Sequence, residues 1–215
     1  MAHQVSFLQH LGDQVVYLVT HNKPGMTIRQ RLLKIIYPLL MKLPGKGATI
    51  VRTDAPPAPV PFHGLHATLI DGQPLDFSLY KGRKVLLVNT ASECGYTAQL
   101  ATLEKLFQTY AGRLQVLAFP SNDFKQQEKG SDADIASFCK KNYGLSFPVM
   151  KKTAVKKTEG QHPVFSWLSD PSQNGWNNRH PVWNFSKYLV DEQGRLIAFF
   201  GPNTDPFDPR LVGLI

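Results

Sequence analysis

Two uninterrupted apolar stretches, KVLLVNT at 84–90 and RLQVLAFP at 113–120, constrain the fold more than any other feature of this chain. A strand with one wet face alternates apolar and polar residues, whereas a run that stays apolar belongs to a strand buried on both faces. Between them lies a helical pattern over 97–110. It puts Leu100, Leu103, Leu106, Phe107 and Tyr110 on one face and has Gly112 as its stop. A second helix is predicted in SDADIASFCKKNYG, with Ser131 as its cap, Asp134 three residues on and Gly144 at its end. HPVFSWLSD (162–170) reads as helical, and WNFSKYLVD (183–191) and GRLIAFFG (194–201) read as two strands joined by a turn at 192–194. Upstream, HATLIDGQPLDFSLY (66–80) suggests two short strands around Asp71-Gly72. Strands and helices alternate first and an antiparallel pair follows. The expectation is an α/β fold with a mixed central sheet flanked by helices and an added N-terminal β-hairpin.

The proline-rich TDAPPAPVPF (53–62) is an extended, stiff connector that should mark a boundary between a basic extension, 1–60, and a domain, 61–215. That extension holds seven Lys or Arg against Asp13 and Asp54, so five of the eight excess positive charges of the chain lie there. The charge is therefore no nucleic-acid face on the domain. Within the extension, TIRQRLLKIIYPLLMKL (27–43) is basic and amphipathic. Its longest uncharged apolar run is seven residues and includes Pro38, whereas a spanning helix needs about twenty. The segment is either a partly ordered extension or a weak contact with an anionic membrane surface. A chain starting at Met26 would place basic residues before a short apolar stretch, resembling a weak signal region without a convincing cleavage site. The cytoplasm is the expected location, with a membrane-associated or exported form as the alternative.

Cys94 and Cys139 are too few for a disulfide scaffold and form no CxxC pair. His63 and His66 lack a Cys or acidic partner at metal-ligand spacing. Cys94 stands where the first buried strand gives out, just ahead of a helix. Unpaired backbone N–H groups and the helix dipole there favour the thiolate, the nucleophilic form. The bland alternative is a small hydrophobe packed at a strand end.

Four segments weigh against that alternative. LVNTASECGYT, FPSNDFKQQEKGS, FCKKNYGLSFPVM and WNFSKYLVDEQG occur in the order and approximate spacing of the glutathione peroxidase family. The resemblance runs over about 64–213. It implies a thioredoxin-like fold with an added N-terminal hairpin and reduction of hydrogen peroxide and organic or lipid hydroperoxides. It also implies Cys94 as the reactive centre, with Gln127, Trp183 and Asn184 as catalytic partners. No prosthetic cofactor or metal is implied; the co-substrate is an external thiol, either thioredoxin or glutathione. Attack on an O–O bond needs donors for charge on the sulfur and the departing oxygen, and an indole N–H with two amides can supply them. This chain departs from the family at Ser121 and Asp123, where many members read FPCNQF. The loop before WNF is short, as in monomeric members that act on lipid hydroperoxides, so a monomer is expected.

Cys139 falls where thioredoxin-dependent members of that family place a resolving cysteine. A sulfenic acid at Cys94 would condense with it. Ile135, Phe138 and Cys139 share a helical face, however, so packing is the other reading, and burial would oblige the helix to unwind before the sulfurs could meet. A redox sensor or relay that hands its disulfide to a partner would use the same residues with little turnover.

Overall fold

The computed structural model describes residues 49–215, together with Thr27, Ile28, Gln30, Leu32 and Leu33. Most of the amphipathic 27–43 segment, and the stretch at Met26, lie outside the described residues. Strands β1 (Ile50–Val51), β4 (Lys84–Thr90), β5 (Leu114–Pro120), β6 (Lys187–Val190) and β7 (Leu196–Phe200) form one sheet in the order β1-β7-β6-β4-β5. β4 runs parallel to β5 and antiparallel to β6, which pairs antiparallel with β7. The predicted hairpin is present as β2 (His66–Thr68) and β3 (Pro74–Asp76). Helices are α1 (Gln99–Thr109), α2 (Asp132–Tyr143), α3 (Pro163–Ser169), α4 (Pro171–Asn174) and α5 (Pro209–Val212). The mixed α/β architecture expected from the sequence is what forms.

The apolar runs lie in the middle of the sheet because each strand feeds two cores at once. Leu86 and Val88 of β4, Val116 and Ala118 of β5 and Leu189 of β6 pack on one face with Leu100, Leu103 and Leu106 of α1 and Ile135 of α2. Val85, Leu87, Leu117, Phe119, Tyr188 and Val190 pack on the other with Phe62, Phe77, Phe165 and Trp167. Burying such a side chain contributes about 1.5–3 kcal/mol, so a polar residue in either run would be strongly selected against unless it found a partner.

Helix α2 forms as its sequence specifies. The Ser131 Oγ accepts from Asp134 N while the Asp134 carboxylate accepts from Ser131 N, a reciprocal capping box. Gly144 closes the helix at φ +64°, a left-handed position that glycine occupies at little cost.

Residues 50–60, expected from the sequence to be extension and connector, lie against the domain. β1 pairs antiparallel with β7, placing Ile50 opposite Phe199. Val60 N donates to Gln173 O at 3.0 Å, and the Trp167 indole donates to Val60 O at 2.7 Å. Prolines cannot donate to a ladder, so this stretch is held by separate bonds at its non-proline residues, among them Arg52 N to Ile197 O at 2.7 Å.

Candidate active site

β4 ends at Thr90 and α1 begins only at Gln99, so Cys94 sits in a run of tight turns rather than at the helix terminus itself. Thr97 organises these turns. Its Oγ1 accepts from Cys94 N at 3.1 Å and donates toward the carbonyls of Ala91 and Cys94 at 2.8 Å each. Thr97 N in turn donates to Cys94 O at 3.1 Å. The sulfur accepts from Tyr96 N at 3.4 Å.

Cys94 is completely buried. Burial pushes its thiol above the ordinary value, against the opposing pull of the Tyr96 N–H and the Trp183 and Asn184 side chains. The sequence led us to expect a thiolate favoured by the helix dipole. With α1 starting five residues later, desolvation outweighs that effect, and the reduced resting form is a thiol whose ionised form already has donors aimed at it.

The donors come from two loops. Trp183 and Asn184 precede β6, and their side chains lie near enough to the Cys94 sulfur to favour its ionised form. Gln127 reaches the cluster through Asn184, whose Nδ2 donates to Gln127 Oε1 at 2.9 Å. The Gln127 carbonyl also accepts from Glu93 N at 3.0 Å, tying its loop to the cysteine turn. Lys125 and Gln126 adopt positive φ of 51° and 52° just before Gln127. Non-glycine residues pay about 1–2 kcal/mol for this conformation, which packing around the loop must offset. At the rim, Phe124 lies 5.5 Å from the Trp183 ring, with Lys125 and Lys156 over these two aromatics. The departure at Asp123 is accommodated locally: its carboxylate accepts from Val155 N and Lys156 N at 2.6 and 2.9 Å.

Cys139 lies on α2, buried in the same apolar cluster as Cys94, and both cysteines are free. Desolvation, and secondarily the Glu128 carboxylate, pushes the Cys139 thiol up to about 12. Inside the intact helix it is therefore a protonated, unreactive thiol.

Three buried polar side chains that hold the site together were not singled out in the sequence. Asn89, near the end of β4, donates to Trp183 O at 3.1 Å and accepts from Ser186 N at 3.1 Å. Glu128, 2 % exposed, accepts from Ser92 N at 2.8 Å and Ser92 Oγ at 2.7 Å, and burial raises its carboxyl to about 7. Lys187 is fully buried in β6. Each had a signal in the sequence, being a polar residue inside or beside a segment that otherwise reads as buried. Among the described residues, no group of three or more His, Cys, Asp or Glu is placed to hold a metal ion.

The glutathione peroxidase family profile matches residues 62–169. The chain is 42% identical over 145 residues to the glutathione peroxidase homolog BsaA of Halalkalibacterium halodurans, covering 67% of this chain and 91% of that protein. It is 40% identical to the glutathione peroxidase-like peroxiredoxin GPX5 of Chlamydomonas reinhardtii, covering 67% and 89%. Among solved structures, T. cruzi GPX1 superposes with a TM-score of 0.54 at 29% identity, over 72% of this chain and 95% of that one. A thioredoxin family thiol:disulfide interchange protein from Chlorobium tepidum, at 19% identity and TM-score 0.53 over 75% and 98%, shares the fold.

Proposed function

The chain belongs to the glutathione peroxidase family and is a peroxidase, and from that membership we propose that it reduces hydrogen peroxide and organic or lipid hydroperoxides through Cys94. The observation that carries this reading is the convergence of the Tyr96 N–H, Trp183 and Asn184 on one buried sulfur. Cys94 gives up its thiol proton, which balances the one the departing oxygen takes up, and the thiolate attacks the nearer peroxide oxygen. The O–O bond breaks, the sulfur takes the oxygen as a sulfenic acid, and the other oxygen leaves as an alkoxide or hydroxide that picks up a proton. Trp183 and Asn184 stabilise charge on the sulfur, and Gln127 sits one hydrogen bond further out, within the same network, to meet charge on the departing oxygen. Pre-placed donors of this kind act without reorganising when charge develops.

Cys139 is the proposed resolving residue. Its thiol condenses with the sulfenic acid to give a Cys94–Cys139 disulfide and water, which a thioredoxin-like dithiol then reduces. Glutathione is the alternative reductant, attacking the sulfenic acid directly. Since Cys139 lies within a capped helix, resolution requires α2 to open locally. We propose that the protein acts as a monomer in the cytoplasm. Contact with an anionic membrane surface through 27–43 is a further part of the proposal, supported by the outward-facing Ile28 and Leu32.

A peroxide-consumption assay with thioredoxin and glutathione compared side by side, run on the parent and on Cys94→Ala, tests the scheme. Turnover by the parent and none by Cys94→Ala is the expected result. Persistent activity in Cys94→Ala would end the assignment of Cys94.

A further inference from the structure

A lysine with no exposed surface in the middle of a sheet calls for a reason, because burying an ammonium is expensive unless something specific receives it. Lys187 lies opposite Val88 of β4 and Phe200 of β7 and shares a sheet face with Phe185, Leu189 and Cys94. Among the described residues, its Nζ donates to the carbonyl of Phe185 at 2.8 Å. Phe185 is the residue after Asn184, and it stands at φ +69°, a conformation that a bulky side chain adopts only when its surroundings compel it.

The compelling contacts can be traced. Phe185 N donates to Asn89 O at 2.6 Å, Asn89 Nδ2 donates to Trp183 O, and Ser186 Oγ donates to Trp183 O at 2.9 Å. These bonds hold Trp183, the Phe185 amide and Ser186. The Phe185 carbonyl, whose orientation fixes the left-handed turn, is held by Lys187.

We propose that Lys187 is a positioning residue for the peroxide reaction: by gripping the Phe185 carbonyl in its ammonium form, it holds the turn that carries Trp183 and Asn184 to the Cys94 sulfur. The proposal rests on the reading of Cys94 as the peroxidatic residue. The charged groups facing Lys187 come from the C-terminal segment: Asp205, and Asp208 with Arg210 bound to it. The flanking strands present Val88 and Phe200 at its register. Burial lowers the Lys187 ammonium to about 7, and Asp205 and Asp208 pull it back up. The grip is thus charge-assisted below neutrality and weakens as the amine loses its proton, since a hydrogen bond from a charged donor is about twice as strong as a neutral one.

The test measures the rate of Cys94 oxidation by hydrogen peroxide between pH 6 and 9, divided by the thiolate fraction calculated for each variant from an ultraviolet titration of Cys94 carried to high pH. It is run in a Cys139→Ser background, so that Cys94 is the one remaining thiol. The parental thiolate-specific rate should fall with a midpoint near pH 7. Lys187→Met, checked for its fold by circular dichroism, should be about tenfold slower at pH 6 and flat across the range, less than the loss of a direct donor. Asp205→Asn leaves Lys187 and the contact with Phe207 N in place and should shift the midpoint to lower pH. A folded Lys187→Met that keeps the parental rate, or one that is uniformly slower with the parental pH profile, overturns the proposal. So does an unmoved midpoint in Asp205→Asn, which decides the matter if Lys187→Met does not fold. A separate control keeps Cys139: peroxide turnover that survives in Cys94→Ala of the otherwise unaltered protein removes the reading of Cys94, not the proposal about Lys187 alone.

Discussion

Replacing Glu128 by glutamine should remove a pH dependence from the stability of this protein. Burial raises the Glu128 carboxyl from 4.5 to about 7, opposed by its two bonds from Ser92 and by Lys152. Its folded value thus lies above its unfolded one, so the native state retains the proton over a range in which the unfolded chain has lost it. The resulting stabilisation is fully present below about pH 4.5 and is lost as pH rises through about 7. A shift of about 2.5 units at 1.36 kcal/mol per unit gives a ceiling of about 3 kcal/mol. Glutamine keeps the shape and one acceptor for Ser92 but ionises at no pH. Urea unfolding of both proteins at intervals from pH 4.5 to 8 measures the difference. The parent should lose about 3 kcal/mol relative to Glu128→Gln over that range, nearly all of it below pH 7.5. Other titrating groups, Lys187 included, are common to both proteins and cancel in the difference. Two stability curves that run parallel across the range would falsify the argument.

Other consequences follow from the same contacts. Trp183→Phe, Asn184→Ala and Gln127→Ala should each slow Cys94 oxidation in stopped-flow by no more than about 10² to 10³, since each removes one donor from a shared network; parental rates in all three would exclude the donor set. Cys139→Ser should leave that first step intact and stop at sulfenic or sulfinic acid by intact mass, with thioredoxin-driven turnover sharply reduced; undiminished turnover would leave Cys139 a packing residue. Ser131→Ala should lower stability by about 1 kcal/mol in urea unfolding, because it removes the hydroxyl that accepts from Asp134 N in the α2 capping box and leaves only the backbone half; an unchanged midpoint would show that the side-chain cap contributes nothing.

Much of the fold was legible because the signals that specify it are local. Continuous apolar runs marked β4 and β5. Ser131, Asp134 and Gly144 marked both ends of α2, and Asp71-Gly72 marked the β2–β3 hairpin. β1 was not legible, because two residues carry no periodicity and their partner, β7, lies almost 150 positions away. Helix α1 starts two residues later than its sequence pattern suggests, since Thr97 spends its hydroxyl on the Cys94 turn rather than on capping α1.

By itself the sequence determined the alternation of buried strands and amphipathic helices, the number of thiols, and the chemical types available to a site, because those follow from residue identity and spacing along a chain. The tertiary structure alone decided how the thiols behave. Packing sealed Cys94 and Cys139 from water, reversing the ionisation expected at a strand-to-helix junction. It carried Trp183 and Asn184 across 89 and 90 positions to the Cys94 sulfur, and it gave Asn89, Glu128 and Lys187 their roles as anchors. Desolvation and long-range hydrogen bonds depend on what surrounds a group in space, and no local pattern in the chain records that.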